Sequence, residues 1–75
     1  MKKVIYVQLL DEGTIVYRPV LSFQLSSNIY KVGEELSYEH KNEKWEFLPN
    51  TIVEVEEKNL DGDNVLVAVR IVDEV

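Results

Sequence analysis

The 75-residue sequence predicts one small all-β domain over residues 1–75, an SH3-like, partly open barrel of five to six antiparallel strands. Three observations favour this fold class. Apolar residues recur with period two far more often than with the helical period of 3.6, and residues typical of strands are abundant. The glycines at positions 13, 33 and 62 each lie at the end of an apolar run, where a turn is expected. A twisted sheet of this size usually curls into a barrel, because closure removes most of its edges.

The first hairpin is predicted over residues 4–20, VIYVQLLDEGTIVYRPV, with a turn at residues 10–13. In this turn Gly13 takes the left-handed conformation, and Leu9 faces Ile15. One face of the hairpin carries Ile5, Val7, Leu9, Ile15 and Tyr17, and the other carries Val4, Tyr6, Gln8, Val16 and Arg18. Pro19 cannot donate a backbone hydrogen bond, so we expect the strand to bend, break or lie at an edge there.

A second hairpin is predicted over residues 20–33, VLSFQLSSNIYKVG. A two-residue turn at Ser27-Asn28 fits the pattern, because asparagine tolerates a positive φ. The residue pairs that face each other in this register are Leu25 with Tyr30 and Phe23 with Val32.

The last hairpin is predicted over residues 51–72, TIVEVEEKNLDGDNVLVAVRIV, and two turns compete for it. One is a four-residue turn at residues 59–62 followed by a glycine bulge, and the other is a two-residue turn at Asp61-Gly62. The two turns differ by one residue in the pairing of the strands, and such a shift moves every side chain of one strand to the opposite face of the sheet. We favour the bulge, because only that register places the valines of both strands on the same face. The expected consequences are Val55 opposite Val67, Val53 opposite Val69, Leu66 and Ala68 facing outward, and Arg70 diagonal to Glu54.

Residues 34–44, EELSYEHKNEK, have no usable period and are predicted to form a polar loop. His40, the only histidine, lies in this segment among carboxylates. A zinc site needs three or four ligands on a rigid frame, and no such set is visible. We therefore expect a solvated histidine and no metal site.

Two blocks of the chain, LLDEGTIVYRPV (residues 9–20) and EKWEFLPNTIVEVEE (residues 43–57), resemble a group of small, uncharacterised bacterial proteins of similar length. The patterns of that group are approximately L-L-D-E-G-T-x-V-W-R-P-V and E-x-W-E-F-x-P-x-x-x-V. The present chain departs from them at Tyr17, where the group more often has tryptophan. The resemblance implies a shared fold, and it carries over no catalytic residue.

The net charge of −6 excludes several classes of partner. Phosphate contacts need clustered lysine and arginine, so neither nucleic acid nor an anionic membrane surface is expected as a partner. The chain has no cysteine, which removes disulfides and thiolate metal sites. The first residues, MKKVIYVQLLDEG, have lysines like a signal peptide, but the apolar run is too short and no cleavage site follows. A soluble, cytoplasmic protein is the expectation.

No catalytic constellation is visible in the sequence. No serine, threonine or lysine has an evident base partner, and the glycines are too dispersed to cradle a phosphate. The segment NLDGDN (residues 59–64) carries carboxylates as a calcium loop does, but its flanks are predicted strands instead of helices. An enzyme would need a pocket that joins His40 to two or more carboxylates. We expect no enzymatic activity and no cofactor.

Aromatic and arginine side chains mark the expected interaction surface, because both are enriched at binding hot spots. The candidate residues are Tyr6, Val16, Tyr17, Arg18, Trp45, Phe47, Leu66, Ala68 and Arg70. For Trp45 and Phe47 the core is favoured over an exposed groove, since a domain of this size needs its large side chains inside.

The outer faces of the first and last hairpins are both apolar, and a monomer rarely leaves such surfaces bare. We therefore predict a non-catalytic protein that acts through protein–protein contact, with a protein partner or a second copy of the chain. The alternative is an inhibitor or immunity-type protein that blocks a basic site on a partner enzyme. That function would need carboxylates clustered on one face, namely Glu34, Glu35, Glu39 and Glu43 with Glu54 or Glu56.

Overall fold

The computed structural model describes residues 1–33 and 44–72, and in this part of the chain it contains six β-strands and no helix. The strands are β1 (Lys2–Leu10), β2 (Val16–Ser26), β3 (Ile29–Lys31), β4 (Lys44–Trp45), β5 (Ile52–Leu60) and β6 (Asp63–Ile71). The predicted all-β class is confirmed. Residues 34–43 of the predicted polar loop lie outside the described residues, and Lys44 belongs to β4 instead.

Five strands form a ring of pairings in the order β1-β2-β3-β5-β6, and β6 pairs back with β1. Strand β4 adds to the end of β1 at Leu9 and Leu10. The ring is consistent with a small, partly open barrel. The other strand pairings are antiparallel as predicted, and the closure between β1 and β6 is a single parallel bridge, Tyr6 with Val67. Five strands that alternate in direction leave the first and fifth pointing the same way, which makes a parallel closure necessary.

The core lies inside this ring and draws on every strand. Its members are Ile5, Val7, Leu9, Val20, Tyr30, Val32, Trp45, Phe47, Val53, Val55 and Ala68. Full burial of a large apolar side chain contributes about 1.5–3 kcal/mol. Ser22 is also fully buried, and its hydroxyl accepts a hydrogen bond from the Gly33 amide at 3.2 Å and donates one to the Val20 carbonyl at 3.4 Å.

The first hairpin is shifted by one residue from its predicted register. Leu9 lies opposite Val16, and Gln8 lies opposite Tyr17. The connection spans residues 11–15, and both Asp11 and Gly13 have positive φ angles of 62° and 78°. This longer loop turns Val16 toward the core and leaves Ile15 exposed and Tyr17 on the outer face, contrary to the prediction.

Strand β2 continues through Pro19, which lies opposite Tyr6. Among the described strands β2 pairs with β3 only from Phe23 onward, so Pro19 has β1 as its one strand neighbour. This is an edge position, which was one of the expected outcomes for a residue without an amide hydrogen.

The second hairpin has the predicted two-residue turn, since Ser26 pairs with Ile29 across Ser27-Asn28. A bulge at Leu25 then changes the register, and Phe23 lies opposite Lys31 instead of Val32. The extra residue in β2 shifts its remaining side chains relative to β3. As a result, both Leu25 and Phe23 are exposed.

The last hairpin has the two-residue turn that we did not favour. Asp61 and Gly62 have φ angles of 54° and 92°, and Asn59 lies opposite Asn64. A bulge at Val69 then restores the match between the apolar faces of the two strands. In an uninterrupted ladder this turn would place Val53 opposite Arg70, and with the bulge Val53 lies opposite Ile71.

The two-residue turn also reverses the predicted orientation of β6 between the turn and the bulge. Ala68 lies opposite Val55 and is buried in the core, and Leu66 packs partly against it. The prediction that Leu66 and Ala68 face outward is therefore wrong. Arg70 lies directly opposite Glu54, where a diagonal placement was predicted.

Candidate functional site

An open groove of about 570 Å³ lies between the first and last hairpins. Its lining residues are Tyr6, Ile15, Val16, Tyr17, Asn59, Leu60, Asp61, Asp63 and Val65. We call it the hairpin groove. It combines two aromatic rings, several aliphatic side chains and two carboxylates, a composition suited to binding part of another molecule.

The two tyrosines of the hairpin groove come from neighbouring strands. Gln8, which lies two residues after Tyr6 on β1, is directly opposite Tyr17 on β2. Alternate residues of a strand share a face, so Tyr6 and Tyr17 are diagonal neighbours on the outer side of the sheet. Both side chains are half-buried.

The carboxylates of the hairpin groove belong to the turn between β5 and β6. The Asn59 side chain accepts a hydrogen bond from the Gly62 amide at 3.1 Å and donates one to the Asn64 side chain at 3.1 Å. These two hydrogen bonds hold the turn that carries Asp61 and Asp63. Asp61 and Gly62 both occupy the left-handed region, as this type of two-residue turn requires. The turn therefore fixes the backbone from which the two carboxylates project.

A smaller pocket of about 180 Å³ adjoins the hairpin groove, and Tyr17 lines both. Gln8, Glu46 and Lys58 supply its polar side chains, and Val67 is part of its wall. An extended segment that lies over Tyr17 could contact both depressions.

A second exposed surface lies on the outer side of β1, β2 and β3, and its cross-strand neighbours follow from the register. Val4 pairs with Leu21, and Phe23 pairs with Lys2 on one side and with Lys31 on the other. Directly opposed residues share a face. We call Lys2, Val4, Leu21, Phe23 and Lys31 the apolar–basic face.

The centre of the apolar–basic face is the Phe23 ring. The ammonium group of Lys2 lies over this ring, 5.4 Å from its centroid, which is a cation–π contact. The aliphatic residues Val4 and Leu21 are 50% and 39% exposed. Apolar area and positive charge are thus adjacent on one side of the sheet.

The predicted surface residues are distributed among several environments. Tyr6, Val16 and Tyr17 line the hairpin groove. Trp45 and Phe47 are buried in the core, as favoured from the sequence, and they offer no surface for a partner.

Three predicted residues lie elsewhere. Ala68 is buried in the core, and Leu66 packs partly against it. Arg18 is half-buried opposite Val7.

Arg70 is exposed and already bound within the chain. Its guanidinium donates a hydrogen bond to Glu54, and its second nitrogen lies 3.6 Å from a carboxylate oxygen of Glu56. The hydrogen bond and the charge of Glu54 raise the pKa of Arg70 above its usual value. Arg70 therefore stays positively charged and occupies the two carboxylates of β5 that an acidic surface would need.

Sequence reasoning missed two groups of surface residues. Leu60, Asp61 and Asp63 were considered only as part of a turn, although their position between two hairpins makes them part of the hairpin groove. The exposure of Phe23 was missed because the bulge at Leu25 was not anticipated. The one available signal was Ser22, a small polar residue that needs a buried partner if it faces inward.

Within residues 1–33 and 44–72 no group of three or more histidine, aspartate or glutamate side chains is placed to hold a metal ion. No helix in these ranges is long and apolar enough to cross a membrane. His40 lies outside the described residues.

Comparison with protein-family models, curated proteins and solved structures returned no match. The resemblance to small bacterial proteins therefore stays a prediction. The function has to be argued from the surfaces of the molecule itself.

Proposed function

We propose that this protein is a non-catalytic, small acidic β-domain that acts through protein–protein contact. Its hairpin groove would bind an extended segment of a partner protein. The observation that carries this proposal is the meeting of Tyr6 and Tyr17 with Asp61 and Asp63 in one open groove.

The groove chemistry favours a segment with a lysine or arginine next to apolar residues. A cation over an exposed tyrosine ring gains about 0.5–1 kcal/mol, and the two nearby carboxylates add electrostatic attraction. The aliphatic side chains of Ile15, Leu60 and Val65 can bury the neighbouring apolar residues of the segment. Aromatic grooves on small β-barrels hold extended peptides in the same general way.

The test is a nuclear magnetic resonance titration of the isotope-labelled chain with a pool of eight-residue peptides that carry a central arginine between apolar residues. We expect chemical-shift changes at the amides of Tyr6, Tyr17 and residues 60–65. The double variant Asp61→Asn, Asp63→Asn should weaken binding at least tenfold, since it removes both charges and keeps the side-chain size. Phe23→Ser, which lies outside the groove, is the matched control and should bind as the wild type does.

Two results would overturn this proposal. One is a lack of shift changes at the groove with every pool tested. The other is equal binding of a pool with central glutamate, which would show that the carboxylates select nothing.

The acidic residues are concentrated in two segments of the sequence, and this distribution favours the alternative function, an inhibitor or immunity-type protein. Residues 34–43 and 73–75 contain six of the 14 acidic residues and one of the eight basic residues, and so carry −5 of the net charge of −6. Replacing Glu34, Glu35, Glu39 and Glu43 with glutamine tests this alternative. If the variant still binds its partner, captured from native cells, as the wild type does, the alternative is wrong.

A further inference from the structure

We propose that the apolar–basic face is a second docking surface, which takes an acidic segment of a partner protein with carboxylates on both sides of one or two apolar side chains. This surface is separate from the hairpin groove, since the two share no residue. The proposal therefore stands independently of the function proposed for the groove.

The face is continuous across three strands. Lys2, Phe23 and Lys31 form one row of directly opposed residues, and Val4 with Leu21 forms the next row. Directly opposed residues in an antiparallel pair have Cβ atoms about 4.5–5.5 Å apart, so the side chains of a row are neighbours. A bound segment therefore meets one connected surface.

A large apolar side chain of this face is exposed, whereas a small polar neighbour is buried, and this arrangement is the reverse of what favours stability. Phe23 is 44% exposed, while the small polar residue Ser22 beside it is fully buried. In β2 the inward positions are taken by Val20 and Ser22, and the bulge at Leu25 keeps Phe23 outside. A partner that covers Phe23, Val4 and Leu21 would remove apolar area from water and gain free energy.

The charge of the face selects the chemistry of the partner. Lys2 and Lys31 lie on the two sides of Phe23, and the described residues opposite them supply no carboxylate. The nearest acidic residues of β5 at this side, Glu54 and Glu56, are bound to Arg70. Two lysines beside an apolar centre complement a segment with acidic residues beside an apolar side chain.

The net charge of −6 belongs mostly to segments outside the described residues. The described residues contain eight acidic and seven basic side chains, so residues 34–43 and 73–75 carry most of the excess negative charge. Within the described residues, no general excess of carboxylates therefore outweighs the two lysines beside Phe23.

Other occupants fit this face less well. In a symmetric dimer through it, Lys2 and Lys31 of two copies would approach each other, and like charges at close range are unfavourable. An anionic membrane would also attract the lysines, but recruitment to anionic lipid usually takes a cluster of about four to eight lysine or arginine residues. The apolar–basic face has two.

The test is a titration of the full isotope-labelled chain with a library of eight-residue peptides in which glutamate alternates with leucine or phenylalanine. A matched library with lysine in place of glutamate is the control. We expect the acidic library to shift the amides of Val4, Leu21, Phe23 and Lys31, and the lysine library to leave them unchanged.

Two variants separate the apolar and the charged contributions. Phe23→Ser and Lys31→Glu should each weaken binding of the acidic library at least tenfold, while Asp61→Asn, Asp63→Asn in the hairpin groove should leave it unchanged. Circular dichroism and urea unfolding show whether each variant is folded, and the exposure of Phe23 makes a folded Phe23→Ser variant the expectation.

Several results would overturn the proposal. These are no binding of the acidic library, equal binding of the lysine library, or binding that Phe23→Ser and Lys31→Glu both leave intact. A concentration-dependent dimer in sedimentation equilibrium that Phe23→Ser abolishes would assign the face to a second copy of the chain. Binding to vesicles of phosphatidylserine and phosphatidylcholine without binding to the peptides would assign it to a membrane.

Discussion

The two phenylalanines of the chain lie in opposite environments. Phe47 is 6% exposed and packs in the core with Trp45, whereas Phe23 is 44% exposed between two lysines. Both lie in segments whose apolar residues alternate with polar ones. Alternation therefore shows which residues share a face, and other features decide which face is buried.

The difference arises in part from a hydrogen bond that β2 makes inside the barrel. Ser22 is buried because its hydroxyl binds the Gly33 amide, which places Phe23 on the opposite side of β2. Phe47 follows β4 and packs in the core with Trp45. Full burial of a phenylalanine side chain contributes about 1.5–3 kcal/mol to stability, and an exposed phenylalanine contributes less. This loss is a reason to test whether Phe23 has a role in binding.

The largest expected effect comes from the buried region. Trp45→Ala should lower the free energy of unfolding by about 3–5 kcal/mol, because it leaves a cavity that the core cannot fill. The core of a domain of this size rarely supplies more than about 3–5 kcal/mol of stability in total. When urea unfolding is measured by circular dichroism, the variant should therefore show no cooperative transition. Leu48→Ala, at an exposed position three residues away, is the control and should unfold like the wild type. A folded Trp45→Ala variant of unchanged stability would contradict the assignment of Trp45 to the core.

A smaller loss is expected at Gly33, which supports the buried Ser22. A Cβ atom at this position would overlap the carbonyl oxygen of Leu21, and backbone atoms cannot move aside easily. Gly33→Ala should therefore cost about 1–3 kcal/mol, as overpacking usually does. Because the strain falls on Leu21 and Ser22, the amide resonances of both residues should shift. Full stability with unchanged resonances would show that β2 is not held in the position described.

The smallest of these effects is expected at the turn that carries the groove carboxylates. Gly62 has a φ of 92° and no atom within 4 Å of an added Cβ, so Gly62→Ala acts through backbone strain alone. It should cost about 1 kcal/mol in urea unfolding. Gly13→Ala is the matched control, with a φ of 78° and similar open space. We expect a smaller loss there, because the longer loop at residues 11–15 can relax, and the reverse order would contradict that difference between the hairpins.

The turn of the second hairpin, at Ser27-Asn28, could be predicted from the sequence, because turn chemistry is local. Gly13 and Gly62 also have the positive φ expected of them, although the first loop is longer than predicted and the last turn is the one that was not favoured. The all-β class followed in the same way from residue type and period. Each of these features depends on a few neighbouring residues.

The registers were wrong in all three hairpins because they depend on contacts between distant residues. Bulges at Leu25 and Val69 insert one residue each, and they are stable only because the strands on both sides bury their apolar faces. Tyr6, Val16 and Tyr17 all line the hairpin groove, although Val16 also packs against the core. Their meeting with Asp61 and Asp63 could not be predicted, since it requires the closure of the ring between β1 and β6.

The central claim is that Phe47 stabilises the fold from within the core, whereas Phe23 contributes little to stability and forms part of an exposed binding surface. The most direct measurement is the urea unfolding of Phe23→Leu and Phe47→Leu side by side under identical conditions. We predict that Phe47→Leu loses about 1–1.5 kcal/mol of stability, because the change removes well-packed core volume. Phe23→Leu should stay within about 0.5 kcal/mol of the wild type, as is usual for surface substitutions. Equal losses in the two variants, or a larger loss in Phe23→Leu, would contradict the claim.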